Sequence, residues 1–228
     1  MFENINMDLY MKEIIKKNAP KPILDLMKNV YWKFKKIRYI TIGRPYTPGE
    51  TTKAKKRRTR EGFFERYCPG KGLDIGYGGD LLSDNCEGWD FEEGDAQYLN
   101  SIKDSEFDFV YSSHTLEHMV DPEISLKNWW RVLKSGGYLI LYLPHRDLYE
   151  KKKTLPSRFS EEHKHFFLLD RDEKPDTIGI LPLIKRTLSD YKMIYAKVCY
   201  EGHTITDPEI HSDGEYSIEV VIKKEPKI

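Results

Sequence analysis

The chain has 228 residues, 39% of them hydrophobic and 32% charged, and its Lys and Arg residues balance its Asp and Glu residues. This length and composition exclude wholesale disorder and suit one α/β domain with a short appendage. No apolar run approaches the ~20 residues that span a bilayer. The first residues are too acidic and polar for a secretory signal, and the three cysteines show no zinc or redox spacing. We therefore expect a cytoplasmic protein.

The charge is unevenly distributed along the chain. Residues 1–60 hold 16 Lys and Arg against 5 Asp and Glu, a net of +11, so the remaining residues carry a net of −11. This asymmetry favours a segment that lies on its own acidic domain, and the alternative is a segment that binds phosphates or anionic lipid. The run Lys53–Arg60 is the most basic part, but it lacks the interleaved aromatic residues of a single-strand nucleic-acid platform.

The first fifty residues differ in pattern from the rest. Apolar residues recur at three- and four-residue steps over residues 7–18 and 22–38, which predicts two helices. The stretch Gly43–Thr52 contains proline and glycine at the spacing of a linker. We therefore predict a helical arm and linker over residues 1–50 and a main domain over residues 51–228.

The main domain alternates apolar strands with helices. In chain order, we predict a helix near Arg58–Tyr67, strands over Gly72–Ile75, at Trp89 and over Phe107–Ser113, a helix over Pro122–Leu133, a strand over Tyr138–Leu143, a helix over Leu181–Tyr191, and strands over Lys192–Tyr200 and Glu215–Lys224. This alternation predicts a mainly parallel sheet with right-handed crossovers.

A glycine-rich turn, LDIGYGGD, follows the first predicted strand directly. The glycines at 76, 78 and 79 permit positive φ and let a ligand approach the backbone closely. The spacing departs from the dinucleotide fingerprint. The flanking carboxylates Asp74 and Asp80 disfavour a pyrophosphate and favour a ligand with a cationic end.

Two further carboxylates follow the turn. Asp90 ends the Trp89 strand, where α/β cofactor sites commonly place an acid on ribose hydroxyls. Asp95 stands in the run Gly94-Asp95-Ala96-Gln97, where it could accept a hydrogen bond from a base while Ala96 offers its backbone. Alternatively, Asp90 caps a turn and Asp95 is an exposed loop acid.

Four blocks in this order resemble the class I S-adenosylmethionine (SAM)-dependent methyltransferases of the small-molecule branch. They are LDIGYGGD, GDAQYL, FDFVYSSHTLEHMVDP and NWWRVLKSGGYLILYLP, and together they cover roughly residues 60–145. The run PSRFSEEHKHFF is similar to bacterial members associated with cell-surface polysaccharide biosynthesis. The resemblance implies a three-layer Rossmann-like sandwich, with a mainly parallel seven-stranded sheet and one antiparallel late strand.

The resemblance also implies a cofactor, SAM, with S-adenosylhomocysteine as its product. The residues expected to bind it are Asp74, Gly76, Tyr77, Gly78, Gly79, Asp90, Asp95, Ala96, Ser113 and His114. Few residues separate Gly79 from Asp90, so the helices usual in these intervals must be short or missing. The position of the basic run just before Gly72 suggests that Arg58 or Arg60 covers the cofactor's carboxylate.

Histidines are the candidate general bases, since their unperturbed pKa lies near neutrality. We predict His163 or His145 in this role, with His114 as the third candidate, and a structural role for His118. Tyr149, Arg158, Lys164 and His165 are the predicted acceptor-binding residues. The segment around His163 has no cysteine or carboxylate set of zinc spacing, so no metal is predicted.

The predicted function is methyl transfer to a hydroxyl, with an amine as the alternative, on a small polar acceptor such as a sugar or a phosphate-bearing precursor. Nucleic acid is not the expected partner, since the catalytic half is acidic. Two alternatives remain: an RNA or protein methyltransferase that docks through its basic arm, and a SAM-binding protein without activity.

Overall fold

The computed structural model of the protein describes residues 49–226. The strands are β1 (Gly72–Ile75), β2 (Cys86–Trp89), β3 (Phe107–Ser113), β4 (Leu133–Pro144), β5 (Phe166–Leu168), β6 (Thr177–Gly179), β7 (Tyr191–Cys199) and β8 (Ser217–Lys224). The helices are α1 (Glu50–Arg60), α2 (Phe63–Tyr67), α3 (Pro122–Val132), α4 (Arg146–Tyr149) and α5 (Ile180–Thr187), and a 3-10 turn spans Leu116–His118.

The main sheet has the order β2-β1-β3-β4-β8-β7, and β5 pairs with β6 in a small second sheet. Strand β1 is parallel to β2 and β3, and β3 is parallel to β4, whereas β8 is antiparallel to both of its neighbours. This topology confirms the Rossmann-like prediction and its antiparallel late strand. The main sheet contains six strands in the described part of the chain, so the predicted count of seven is wrong. Residues 90–106 contain only turns, and a crossover plus another strand needs more chain than that.

Both faces of the sheet are covered, as the continuous apolar pattern of β3 and β4 requires. On one face, Trp129 of α3 is fully buried against the strands, and its indole N–H donates to the Ala96 carbonyl over 2.8 Å. On the other face, Phe63 packs in a second buried cluster that includes Tyr111 and Tyr142. Asp121 accepts from two backbone amides and so begins α3, a cap that typically stabilises by about 1 kcal/mol.

Helix α1 is fixed to the second face by buried ion pairs rather than by apolar residues alone. Arg57 contacts Glu215 at 2.8 Å and Glu219 at 2.9 Å, and Arg58 contacts Glu219 at 2.7 Å. Arg60 pairs with Glu201 on the surface. The arginines of the basic run therefore lie on the acidic part of their own domain, and the rest of the basic segment over residues 1–60 lies outside the described residues.

Several predicted boundaries shift. The helix predicted near Arg58–Tyr67 is two helices that break at Gly62, which has a φ of 62°. The linker predicted over Gly43–Thr52 is already helical from Glu50 in its described part. The strand predicted over Tyr138–Leu143 runs from Leu133 to Pro144.

The arm predicted over residues 1–50, with its helices at 7–18 and 22–38, lies outside the described residues except at its end. The division between arm and main domain stays a prediction. Within residues 49–226, every helix is too short or too polar to cross a membrane.

Candidate functional site

The glycine turn lies at the carboxyl edge of the parallel strands, between β1 and β2. Gly76 has a φ of 71°, and a Cβ there would stand 2.1 Å from the Thr115 Oγ1. Only glycine fits that position, because the backbone needs positive φ and the threonine side chain already fills the space. Gly78 has a φ of 53°, and a Cβ there would meet nothing within 4 Å. The backbone at Gly78 is therefore open to a ligand.

Asp74 supports this turn from inside the protein. Its side chain is fully buried, the Oδ2 accepts from the Leu82 amide over 2.8 Å, and the Oδ1 has no hydrogen-bond partner. Burial raises the pKa of Asp74 to about 8. The carboxyl group does not line the cavity described below, so its role in this structure is to hold the chain after the turn.

Asp90 and Asp95 both face the cavity. The Asp90 Oδ2 accepts from the Gly78 amide over 3.1 Å, and its Oδ1 accepts from the Phe91 amide over 2.9 Å. The Asp95 Oδ1 accepts from the Gln97 amide over 2.7 Å. Asp90 thus joins the end of β2 to the glycine turn, and each carboxylate has remaining lone pairs that can accept from a ligand.

The cavity has a volume of about 780 Å³. It is lined by Gly76, Gly78, Trp89, Asp90, Phe91, Gly94, Asp95, Ala96, Gln97, Tyr98, His114, Thr115, His118, Met119, Val120 and Glu162. A largely apolar concave surface with a few polar groups is the usual form of a small-molecule site. It lies at the carboxyl ends of the strands, where open α/β sheets bind their ligands.

Some of the predicted cofactor residues line this cavity and others support it. Gly76, Gly78, Asp90, Asp95, Ala96 and His114 line it, whereas Asp74, Tyr77, Gly79 and Ser113 do not. Tyr77 packs its ring on Gly88 instead. Ser113 accepts a hydrogen bond from the Thr115 hydroxyl over 2.9 Å through its carbonyl, and this bond helps to place the threonine against Gly76.

His114 comes directly after β3 and occupies one side of the cavity. Its backbone has a φ of 48°, and its Nε2 lies 2.8 Å from the Ser217 hydroxyl. Burial lowers the pKa of His114 to about 4. The ring is therefore neutral at pH 7, and such a low pKa makes it a weak general base.

His118, Glu117 and His163 form a cluster beside His114. The Nε2 atoms of both histidines lie 3.9 Å from the Glu117 Oε1. The rings of His118 and His163 meet edge to face with centroids 4.8 Å apart. His118 lines the cavity, and His163 lies behind it with its Nδ1 2.9 Å from the Glu150 carboxylate. Sequence analysis gave His118 a structural role, but the structure places it on the cavity wall.

Glu117 is fully buried, and neither carboxylate oxygen has a hydrogen-bond partner. Burial raises the pKa of Glu117 to about 7. The neighbouring imidazoles lie beyond hydrogen-bond distance of it. Sequence analysis missed Glu117 as a site residue, although its position in the 3-10 turn after β3 was a usable signal.

His145, the other predicted base, does not line the cavity. Its backbone forms a bridge with Phe167 and donates to the Tyr216 carbonyl over 2.8 Å. Its Nδ1 is buried without a partner, and burial lowers the pKa of the ring. Because His145 does not line the cavity, this geometry does not favour it as the base.

None of the four predicted acceptor-binding residues lines the cavity. Arg158 pairs with Glu209, and Lys164 donates to the His118 carbonyl over 2.5 Å. His165 is half-buried, and its Nε2 has no hydrogen-bond partner. Tyr149 is buried, and its ring packs against His163 with centroids 5.7 Å apart. Arg158 and Lys164 are held by this protein's own groups, which the sequence could not show.

The proposed cover of a cofactor carboxylate by the basic run is also contradicted. Arg58 is fully buried and donates to Glu219 and to the Tyr111 hydroxyl. Arg60 pairs with Glu201. Neither arginine lines the cavity.

The cavity fits SAM, since Gly78 leaves room where any other residue would place a Cβ and two carboxylates stand beside it. Residues 73–141 match the family profile described as "Methyltransferase domain". This match covers the glycine turn, both cavity carboxylates and the segment with His114 and His118. The chain therefore contains a methyltransferase domain over residues 73–141, within a Rossmann-like methyltransferase fold. It is an enzyme, and SAM is its methyl donor.

Several solved structures are similar to this chain. A protein from Bacillus halodurans, provisionally named a methyltransferase, is 12% identical with a TM-score of 0.50, over 75% of this chain and 100% of that one. A SAM-dependent methyltransferase from Archaeoglobus fulgidus is 19% identical with a TM-score of 0.48, over 77% and 95%. One from Clostridium acetobutylicum is 13% identical with a TM-score of 0.47, over 86% and 100%. No curated protein matches the sequence significantly.

Proposed function

We propose that this methyltransferase acts on a hydroxyl group of a small polar acceptor, a saccharide or its activated precursor. The observation that carries the proposal is the group of imidazoles at one end of the cavity. His114 and His118 line that end, and His163 lies directly behind His118. The carboxylates Asp90 and Asp95 lie on the same cavity and suit the polar groups of the adenosine half.

The chemistry of the acceptor decides which groups the enzyme needs. The methyl group passes from the sulfonium of SAM to the acceptor oxygen, the hydroxyl proton is lost, and S-adenosylhomocysteine remains. A hydroxyl is a poor nucleophile until that proton leaves, and assistance in its removal typically contributes about 10²–10⁴-fold. A neutral amine needs less help. A cavity that places His118 at its wall, with Glu117 3.9 Å behind it, therefore favours a hydroxyl acceptor.

The cations predicted to bind a phosphate on the acceptor do not line the cavity. Arg158 and Lys164, the cations expected to bind a phosphate, are engaged by Glu209 and by the His118 carbonyl. The assignment to cell-surface polysaccharide biosynthesis rests on the resemblance carried by the run PSRFSEEHKHFF.

An RNA or protein acceptor bound through the basic run has less support. Arg57, Arg58 and Arg60 all pair with carboxylates of the same domain. Those pairs leave fewer cationic side chains free to bind a phosphate backbone, and affinity for RNA depends on such contacts.

The test is methyl transfer from labelled SAM to pairs of sugars that carry either a hydroxyl or an amine at the same carbon. We expect label on the hydroxyl member of at least one pair. The variant His118→Gln should lower kcat by about 10²-fold or more if proton removal depends on this group. His203→Gln is the matched control, since His203 contacts Asp213 and does not line the cavity. Transfer to amines alone would overturn the proposal.

A further inference from the structure

We propose that Glu117, His118 and His163 bind a divalent transition-metal ion at the acceptor end of the cavity. Their ligand atoms, one from each side chain, all lie within 4.8 Å of one another. Two imidazoles and a carboxylate are a donor set that suits zinc, iron, cobalt, nickel and manganese. Sequence analysis predicted no metal because it considered the segment around His163 alone. The fold brings Glu117 and His118 to that segment from the turn after β3.

The first argument is the state of the Glu117 carboxylate. It is fully buried, and both of its oxygens lack a hydrogen-bond partner. A buried carboxylate without a partner is costly, and such groups in native proteins are usually paired or coordinate a metal. The groups that face it are the Nε2 atoms of His118 and His163 and the Nδ1 of His114, each at 3.9 Å. That distance is too long for a proton to be shared in a hydrogen bond.

The second argument is the orientation of His163. Its Nδ1 lies 2.9 Å from the Glu150 carboxylate, which also accepts from the Ser157 hydroxyl over 2.6 Å. A carboxylate can only accept, so the neutral ring places its proton on Nδ1 and leaves the Nε2 lone pair facing Glu117. Histidine ligands of metals are usually held in this way by a carboxylate on the other nitrogen.

The third argument is that the distances are close to those of a metal site. An ion with bonds of roughly 2.0–2.2 Å holds its ligand atoms about 3–3.5 Å apart. The separations of 3.9 Å therefore close with side-chain movements of about half an ångström, and the largest separation, up to 4.8 Å, closes with movements of about 1.5 Å. The three residues leave further coordination positions open.

The metal site would activate the acceptor in the proposed methyl transfer, so its catalytic role rests on the proposed function. His118 lines the cavity, so an open coordination position there can meet an acceptor oxygen. A divalent ion lowers the pKa of an oxygen that coordinates it and would thus assist loss of the hydroxyl proton.

The experiment uses the full chain after dialysis against a chelator, with Co²⁺ as the probe. We expect one equivalent of Co²⁺ to bind and to give visible absorption of a low-coordinate site. Glu117→Gln and His163→Gln should each weaken Co²⁺ binding at least 100-fold. Glu150→Gln should weaken it about 10–100-fold, because it releases the His163 ring without removing a ligand. His203→Gln, the matched control, should bind Co²⁺ as the wild type does.

Binding of S-adenosylhomocysteine shows whether each variant is folded, since Glu117, Glu150 and His163 do not line the cavity. Absence of stoichiometric Co²⁺ binding, or Co²⁺ binding unchanged in folded Glu117→Gln and His163→Gln, would overturn the metal site. If Co²⁺ binds as expected but only amines are methylated, the site stands and the proposed hydroxyl acceptor fails.

Discussion

Replacement of Asp74 by asparagine should stabilise the fold, and the gain should grow with pH. The Asp74 carboxyl is fully buried with one oxygen unpartnered, and burial raises its pKa to about 8. In the unfolded chain the same group ionises near its ordinary pKa of about 4. Between these values the folded protein holds a proton that the unfolded chain has lost. The stability that this one group contributes is therefore fully present below about pH 4, and it is lost as the pH rises through the folded pKa.

The slope follows from the proton count. One proton bound only by the folded state costs about 1.4 kcal/mol of stability for each pH unit. The asparagine side chain would keep the bond from the Leu82 amide through its carbonyl oxygen and would carry no titratable proton. The difference between the free energies of unfolding of Asp74→Asn and the wild type should thus grow by about 3 kcal/mol, in favour of the variant, between about pH 5 and about pH 7.

Urea denaturation of both proteins at several pH values in that window measures this difference. Asp108→Asn is the matched control. The Lys134 ammonium and the Lys71 amide hold the pKa of Asp108 below its usual value, so its contribution is already complete above about pH 5. Parallel stability curves for Asp74→Asn and the wild type would refute the reasoning, since they would mean that Asp74 is ionised in the folded protein.

Two further substitutions test the packing around the site. Glu219→Gln should lower the free energy of unfolding by about 3 kcal/mol or more, because it removes a buried anion that pairs with Arg57 and Arg58. Urea denaturation measures this loss, and a value below about 1 kcal/mol would contradict the prediction. Gly76→Ala should lower the free energy of unfolding by about 2–4 kcal/mol, because it combines a positive φ with a Cβ 2.1 Å from the Thr115 hydroxyl. Thermal unfolding tests this, and a melting temperature equal to that of the wild type would contradict the prediction.

Sequence periodicity predicted the parts of the fold that depend on local pattern. The apolar run of β3 and the helix after it appear where predicted, and the apolar part of β4 does so too, although that strand begins five residues earlier, at Leu133. Sheet size was harder to predict. Residues 90–106 form only turns, and the expected count came from the resemblance rather than from this interval.

The cofactor half of the site was predictable from single positions. Gly76 and Gly78 need a backbone conformation that only glycine adopts readily, and Asp90 ends a strand at the edge where ligands bind. These signals are local. All three residues line the cavity.

The acceptor half was not predictable in the same way. Glu117 and His163 are 46 residues apart in the chain, and only the packing of the later segment on the turn after β3 brings them together. Arg158 and Lys164 looked like free cations, but their partners come from distant loops. Pairing of charges over such separations leaves no periodic trace in a single sequence.

The central claim is that SAM lies along the cavity at the Gly78 backbone, and calorimetric titration with S-adenosylhomocysteine tests it most directly. Gly78→Leu would project a side chain from the cavity wall, whereas Gly136→Leu makes the same change at another glycine with positive φ and nothing within 4 Å. Both variants carry a similar backbone cost, but only Gly78 lines the cavity. We predict that Gly78→Leu abolishes binding and that Gly136→Leu binds as the wild type does. Equal binding by both variants would contradict the claim.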